Sequence, residues 1–274
     1  MKDILYSPAK INLSLDLLYK RKDGFHEIDT LMLKIDLCDV IEITDSSRTE
    51  VICGIASGKE NLVYKAIKNL ETVTGKIFPV SVKIKKNIPA GAGLAGGSSN
   101  AGTVLRYLGQ RYGILSEKLF EAGAMTGADV NFFVNDASFA RCMGKGEIII
   151  PIPSVDNLPD SVYIIKPDIH ADTVSVYKEF RIEEYRNTFS IDTLLYYLTA
   201  DKWEEVENNL FNALESPAFK LYNGLQNLYR KLSSDCRVRM SGSGAAFFTF
   251  SPEPAIEEKQ DLFVYKANIW RNDA

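Results

Sequence analysis

Pro89-Ala-Gly-Ala-Gly-Leu-Ala-Gly-Gly-Ser-Ser-Asn-Ala101 sets four glycines and two serines between a strand-like segment and a helix-like one, and its reading decides the fold. Glycines let backbone N–H groups approach an anion with no Cβ in the way, and the start of the following helix adds unpaired donors and the positive end of a dipole. That is the composition of a phosphate cradle, and a nucleotide is its natural guest. No Gly-Lys-Ser/Thr closes the loop, so it is not a Walker A motif, and it lies too far into the chain for a dinucleotide fingerprint. A flexible linker would be more polar and would lack the proline anchor.

Outward from the loop, Val80–Lys86 alternates Val82 and Ile84 against Lys83, Lys85 and Lys86, so it reads as a strand with a solvated basic face. Asn100–Gly109 continues as helix, and Ser116–Met125 makes another with Ser116 at the N-cap. Asn61–Thr74 carries Leu62, Ala66, Leu70 and Val73 at helical spacing, with Gly75 as its stop. Residues 2–19, 31–43 and 51–55 read as strands, the first ended by the charged turn Lys20–Gly24. Gly127–Val134 reads as a loop feeding a short apolar stretch. Three prolines between Pro151 and Pro159 mark a domain boundary, giving an N-terminal domain of residues 1–153 and a C-terminal one of 154–274. Beyond it come strands at 161–166, 237–240 and 246–250 and helices at 192–211 and 218–233. Helices and strands mix without regular alternation, so the class is α+β.

At 274 residues and 46% hydrophobic content the chain can bury two cores. A net charge of −4 argues against general binding to nucleic acid, which needs basic surface to displace counterions. Cys38, Cys53, Cys142 and Cys236 show no C-x-x-C spacing for zinc or redox chemistry, and reduced thiols fit a cytoplasm. No stretch reaches the roughly 20 apolar residues of a membrane span, so a soluble cytoplasmic protein is expected, as monomer or homodimer.

The glycine loop resembles the central motif of the GHMP kinases, the superfamily of galactokinase, homoserine kinase and mevalonate kinase. Ser7-Pro-Ala-Lys-Ile-Asn-Leu-Ser-Leu15 is similar to its first motif and Arg239-Met-Ser-Gly-Ser-Gly-Ala-Ala-Phe247 to its third. Asp23–Leu31, Gly127–Val130, Gly144–Glu147 and Lys166–Thr173 narrow the resemblance to the 4-diphosphocytidyl-2-C-methyl-D-erythritol kinases. It implies the two-domain GHMP kinase fold, with a ribosomal S5 domain 2-like N-terminal part, a ferredoxin-like C-terminal part and an active site in the cleft between them. It also implies ATP as co-substrate and transfer of its γ-phosphoryl to the tertiary 2-hydroxyl of a cytidine diphosphate-linked methylerythritol, in the methylerythritol phosphate route to isoprenoids. Magnesium is expected because that transfer needs its charge neutralised; Ser98 and Ser99 are candidate ligands.

The resemblance places Lys10 and Asp129 at the catalytic positions. A carboxylate can orient the proton of an attacking hydroxyl, and a neighbouring ammonium stabilises negative charge. Alone, Lys10 would read as a solvated strand lysine and Asp129 as a turn aspartate; three ordered motifs outweigh that. ATP is implied at Pro89, Ala90, Gly91, Ala92, Gly93, Leu94, Ala95, Gly96, Gly97, Ser98 and Ser99. Asn61 is by itself an N-cap, to which the resemblance adds an adenosine-side contact. Phe25 and His26 form the implied cytosine pocket, one ring to stack and one to present hydrogen-bonding groups, with Tyr177 as the opposing ring. For Phe25 the competing reading is an ordinary core aromatic. Asn12 and Thr173 are implied at the methylerythritol hydroxyls, Lys145 at substrate phosphates, and Ser241 and Gly242 of the third motif at the substrate. His170 reads as a surface or capping residue.

This chain departs from the family pattern at Phe25, commonly tyrosine, at Ala95, usually glycine, and at Asn131, commonly proline. If position 95 needs a positive φ, its methyl group costs on the order of 1 kcal/mol. The alternatives are a mevalonate or homoserine type kinase, a diphosphomevalonate decarboxylase, or a nucleotide-binding protein without catalysis.

Overall fold

Ser7–Leu15 is buried without a break, which requires a strand covered on both faces. In the computed structural model, which describes residues 2–153, 158–185, 187, 189–251 and 261–271, that segment is the middle of β1 (Lys2–Lys20). A turn closed by Arg21 N–H donating to the Phe25 carbonyl at 2.8 Å returns the chain as β2 (His26–Asp45), antiparallel to β1 along nearly its whole length. β2 therefore starts at His26 rather than at Leu31. β3 (Glu50–Cys53), β4 (Val80–Lys85), β5 (Phe139–Gly144) and β6 (Ile148–Pro151) complete a six-stranded sheet of order β3-β4-β2-β5-β6, with β1 on β2. Within this sheet β3 and β4 pair in parallel and the other named pairs are antiparallel.

Four helices cover one face of this sheet: α1 (Leu62–Thr74), α2 (Gly96–Tyr112), α3 (Ser116–Thr126) and α4 (Val130–Val134). Ile41, Ile43, Val80 and Val82 of the sheet pack there with Val63, Ile67 and Leu70 of α1 and Val104, Leu105 and Leu108 of α2. Fully burying one such side chain contributes roughly 1.5–3 kcal/mol. Ser116 is the first residue of α3 and not its cap; Leu115 stands at the N-cap position and makes no side-chain bond there. Residues 130–134, expected as an apolar stretch after a loop, form a helical turn.

The second sheet, β10-β7-β9-β8, is antiparallel throughout: β7 (Ser161–Pro167), β8 (Arg239–Met240), β9 (Phe247–Thr249) and β10 (Leu262–Asn268). Its helices are α5 (Thr173–Glu179), α6 (Ile191–Thr199), α7 (Trp203–Asn208), α8 (Glu215–Leu221) and α9 (Asn223–Ser233). Two stretches expected as single helices are thus divided. Asp201 takes φ 57°, a left-handed conformation that no helix propagates, and separates α6 from α7. The chain then runs extended along β1, where Leu15 N–H donates to the Phe211 carbonyl at 3.0 Å and Ala213 N–H to the Leu15 carbonyl at 2.9 Å. A core shared by both sheets holds Ala9, Ile11 and Leu33 of the first against Val162, Ile164 and Phe248 of the second, with Ile191 and Leu194 of α6. The six-stranded sheet ends before Pro153 and the four-stranded one begins after Pro159. Among the described residues no helix is long and apolar enough to cross a membrane.

Candidate active site

Asp39 determines where β4 gives way to the glycine loop. Its carboxylate is fully buried and accepts from the backbone N–H groups of Asn87 and Ile88 at 2.7 and 2.9 Å, from Asn100 Nδ2 at 2.9 Å, and from the Lys86 ammonium. Lys86 also donates to Asn100 Oδ1 at 3.1 Å and lines the cleft. It is therefore no member of a solvated face, which leaves Lys83 and Lys85 as the outward lysines of the strand. From Ile88 the loop passes through positive φ at Gly91, Gly93 and Ala95 before entering α2. At Gly93 the requirement is absolute: its φ is 71°, and a Cβ there would stand 2.0 Å from the backbone oxygen of Ser241. Ala95 does sit at φ 55°, so this chain carries the strain of an alanine in a left-handed position.

α2 is 17 residues long and its N-terminus has no side-chain cap and no acidic residue in its first turn. α1, α5 and α6, by contrast, are capped by Asn61, Asp172 and Ser190. The first N–H groups of α2 are thus left, together with the positive end of its dipole, for an anion. They open on a cleft of about 940 Å³, at the upper end of what small-molecule sites occupy. The cleft is lined by the loop from Pro89 to Ser98, by Lys86, and by Ile55, Ala56, Asn61 and Leu62. Phe25, His26, Lys145, Thr173, Tyr177 and Phe180 line it too.

Lys10, Asn12 and Asp129 line the cleft as well. Lys10 is 3% exposed; its Nζ donates to Asn12 Oδ1 at 2.5 Å and to the Gly93 carbonyl at 2.9 Å, and lies 3.7 Å from Asp129 Oδ2. Three acceptors around three N–H bonds suit an ammonium. Burial pushes the Lys10 amine below the usual lysine range, and the Asp129 carboxylate is the first influence to oppose it. Asn12 is itself held by Nδ2 donating to Thr30 Oγ1 at 2.8 Å, so its amide aims the lysine. Asp129 stands at the N-cap position of α4, with Gly146 of the β5–β6 turn close over its carboxylate.

Phe25 is 56% exposed, so it is a presented ring and no core aromatic. The Lys145 ammonium lies 4.8 Å from its ring centroid and 3.8 Å from Asp23 Oδ2. His26 packs against Tyr177 and Phe180, each with ring centroids 5.7 Å away. Burial and the nearby Lys20 charge push the His26 imidazole below its ordinary range, which favours the neutral ring with one donor and one acceptor nitrogen. Tyr177 is pushed up by burial and by the Asp129 charge, so it remains a phenol. Thr173 Oγ1 bonds Ser243 Oγ at 2.8 Å, joining α5 to the C-terminal glycine turn.

Two residues of the expected site do not reach the cleft through their side chains. Ser99 is fully buried, with its hydroxyl 2.5 Å from the Pro8 carbonyl and 2.7 Å from Ser7 Oγ. Ser241 is fully buried too; its Oγ accepts from Asn12 N–H at 3.2 Å and donates to the Gly93 carbonyl at 3.1 Å. Both serve the scaffold. Asn61 caps α1 by accepting from Val63 N–H at 2.8 Å and ties down the preceding loop by donating to the Ala56 carbonyl at 2.6 Å. His170 is exposed but lies over Gly91 of the loop. The sequence alone gives Asp39 no role and reads Lys86 as part of a solvated face, because their pairing joins residues remote in the chain.

Residues 61–136 match the family model described as the GHMP kinases N terminal domain. A 4-diphosphocytidyl-2-C-methyl-D-erythritol kinase of Sulfurihydrogenibium sp. (strain YO3AOP1) is 38% identical over 94% of this chain and 94% of its own. One of Geobacillus kaustophilus (strain HTA426) is 36% identical over 90% of this chain and 88% of its own. The crystal structure of a 4-(cytidine 5'-diphospho)-2C-methyl-D-erythritol kinase superposes with a TM-score of 0.77 at 29% identity, covering 97% of this chain and 99% of that one.

Proposed function

Because this chain belongs to the 4-diphosphocytidyl-2-C-methyl-D-erythritol kinase family of the GHMP kinases, we propose that Lys10 and Asp129 carry its phosphoryl transfer, with ATP at the glycine-loop end of the cleft and the acceptor at the Phe25 end. The chain is an ATP-dependent phosphotransferase with an alcohol as acceptor, and it phosphorylates the 2-hydroxyl of 4-diphosphocytidyl-2-C-methyl-D-erythritol on the route to isoprenoids. The observation that carries the assignment of roles is the Lys10 cage: one buried ammonium held by Gly93 of the loop, by Asn12 and beside Asp129, all on the cleft wall.

Phosphoryl transfer asks the protein for alignment, charge stabilisation and exclusion of water rather than covalent work. Asp129 is placed to accept or orient the proton of the acceptor hydroxyl, and Lys10 to stabilise negative charge on the moving phosphoryl group. The first-turn N–H groups of α2 hold the phosphates. Phe25 stacks on the pyrimidine, while neutral His26 offers a donor and an acceptor to its edge. Lys145 is fixed by Asp23 and the Phe25 ring, from where it meets the substrate phosphates.

Among the described residues no three His, Cys, Asp or Glu side chains gather as for a metal. Mg²⁺ keeps several waters and binds through few protein oxygens together with substrate phosphates, so of the two candidate ligands the Ser98 hydroxyl, on the cleft wall in the first turn of α2, would fit it, and the buried Ser99 hydroxyl would not. When bound it neutralises charge on the nucleotide phosphates. The proposal includes a glycine-loop domain of residues 1–153 and a substrate-side domain of 154–274. The test is incubation with ATP, Mg²⁺ and the cytidyl substrate, followed by detection of ADP and the phosphorylated product. Turnover of mevalonate or homoserine in its place would refute the reading.

A further inference from the structure

The C-terminal glycine turn, Ser241–Gly244, forms one wall of the Lys10 cage. Gly242 has φ 54°, and a Cβ on it would lie 3.2 Å from Asn12 Oδ1, 3.2 Å from the Gly93 carbonyl and 3.4 Å from Lys10 Nζ. The turn is laced to the phosphate loop by Ala245 N–H donating to the Gly91 carbonyl at 3.0 Å and Ala246 N–H to the Ala92 carbonyl at 3.1 Å. Ser241 Oγ bridges Asn12 N–H and the Gly93 carbonyl. Small movements of this turn therefore move the acceptors that aim Lys10.

What holds the turn from behind is Asn212. It is 7% exposed and sits in the extended segment bridged to β1 at Leu15, three residues beyond Asn12. Its Nδ2 donates to the Met240 carbonyl at 2.7 Å and to the Gly242 carbonyl at 2.8 Å, and its Oδ1 accepts from Leu214 N–H at 2.8 Å. Both amide hydrogens are thereby spent on the carbonyls on either side of Ser241, the last of β8 and one within the turn, which only a side chain with a paired donor can do. Glu215 completes the support by accepting from Met240 N–H at 2.9 Å. β1 thus carries Lys10 and Asn12 at one point and the clamp at another, and the clamp holds the turn that closes on Lys10.

We propose that Asn212 is a positioning residue for phosphoryl transfer, clamping the Met240–Gly242 backbone so that Lys10 is aimed correctly. The inference rests on the role given above to Lys10. An aspartate at 212 keeps the acceptor for Leu214 N–H but turns an oxygen toward two carbonyls. Displacement of a catalytic group by about 1 Å costs on the order of 100-fold in rate.

The experiment measures kcat and KM for ATP and for the cytidyl substrate in wild type, Asn212→Asp, Asn212→Ser and Glu215→Gln, with ATP affinity titrated separately. Asn212→Asp is expected to lose on the order of 10- to 100-fold in kcat, with both KM values and the ATP affinity within about 3-fold. The ratio of its kcat to the wild-type value recovers as pH falls and the new carboxyl gains a proton to donate. Asn212→Ser, which keeps one donor, loses less and shows no such recovery; it also carries the comparison if the aspartate variant does not fold. Glu215→Gln keeps an acceptor for Met240 N–H and stays within about 2-fold of wild type. A wild-type kcat in folded Asn212→Asp or Asn212→Ser, or a kcat loss matched by an equal rise in KM, would overturn the inference. Wild-type enzyme inactive on the cytidyl substrate would instead overturn the functional reading.

Discussion

Removing Lys10 and Asp129 separately and together tests whether they act as one device. At 3.7 Å and an effective dielectric of about 20, their attraction is worth about 4 kcal/mol. Burial alone pushes Lys10 toward the neutral amine, and Asp129 is the first influence holding it charged. Asp129→Asn therefore removes the group proposed to orient the acceptor proton and also weakens the charge on Lys10. Its kcat is expected to fall by on the order of 10²- to 10⁴-fold, the range for a lost general acid or base. Lys10→Met should fall comparably, since the carboxylate then faces no ammonium. The double variant should lose no more than about tenfold beyond the worse single, because each single has already disabled the pair.

Steady-state ADP release with both substrates varied gives kcat and each KM, and equilibrium titration gives ATP affinity. The pH profile adds a signed check. In its proposed role Lys10 is protonated, so activity should be lost as pH rises through its titration; without Asp129 that titration moves lower, and the alkaline limb of the residual activity should move to lower pH. Multiplying losses in the double variant, or an ATP affinity that falls by the same factor as kcat, would refute the reasoning.

Lys34 is 2% exposed, donates to the Asn135 carbonyl at 2.9 Å, and is pushed by burial down to about 7 from 10.5. Between those two pH values the unfolded chain holds a proton the folded one has released, so stability rises with pH there, by up to about 1.4 kcal/mol per unit. Lys34→Met should remove that slope, so urea unfolding from pH 7 to 10 should show the gap between the two proteins closing; parallel curves would sink the idea. Gly93→Ala should cost at least about 3 kcal/mol and abolish activity, since a methyl group meets backbone at Ser241. Gly97→Ala meets only a leucine side-chain carbon at 3.2 Å and should keep the fold while raising KM for ATP; equal thermal shifts in the two variants would contradict the interlocked loops. Phe25→Ala should raise KM for the cytidyl substrate about 5- to 160-fold, from a stacking contribution of ~1–3 kcal/mol, and spare KM for ATP; a joint rise would remove Phe25 from the base pocket.

Features governed by near neighbours were legible in the chain itself. Asn61 caps α1 and Gly75 ends it with φ 66°, because the capping bonds join residues two to four apart. The positive φ at Ala95 was legible from the glycine the family carries there. Illegible were features decided by partners far along the chain. The apolar spacing from Asp192 to Phe211 reads as one helix, yet residues after Asn208 leave it to bond with β1, a pairing that spans nearly two hundred positions. Lys86 reads as solvated because its buried partner, Asp39, lies on another strand.

The same distinction divides the motifs. A motif tells which residues converge, but each convergent residue can face the ligand or hold another residue, and only burial separates the two. Ser98 and Ser99 are adjacent in the motif; Ser98 lines the cleft while Ser99 binds the first motif to α2. Gly242 and Ser241 divide in the same way, one on the wall and one behind it. Asn212 lies outside all three motifs, yet it determines the backbone position of the third. A site whose cation is aimed by carbonyls from two loops depends on whatever fixes those loops, so the determinants of rate extend as far as the buried amide that clamps the turn.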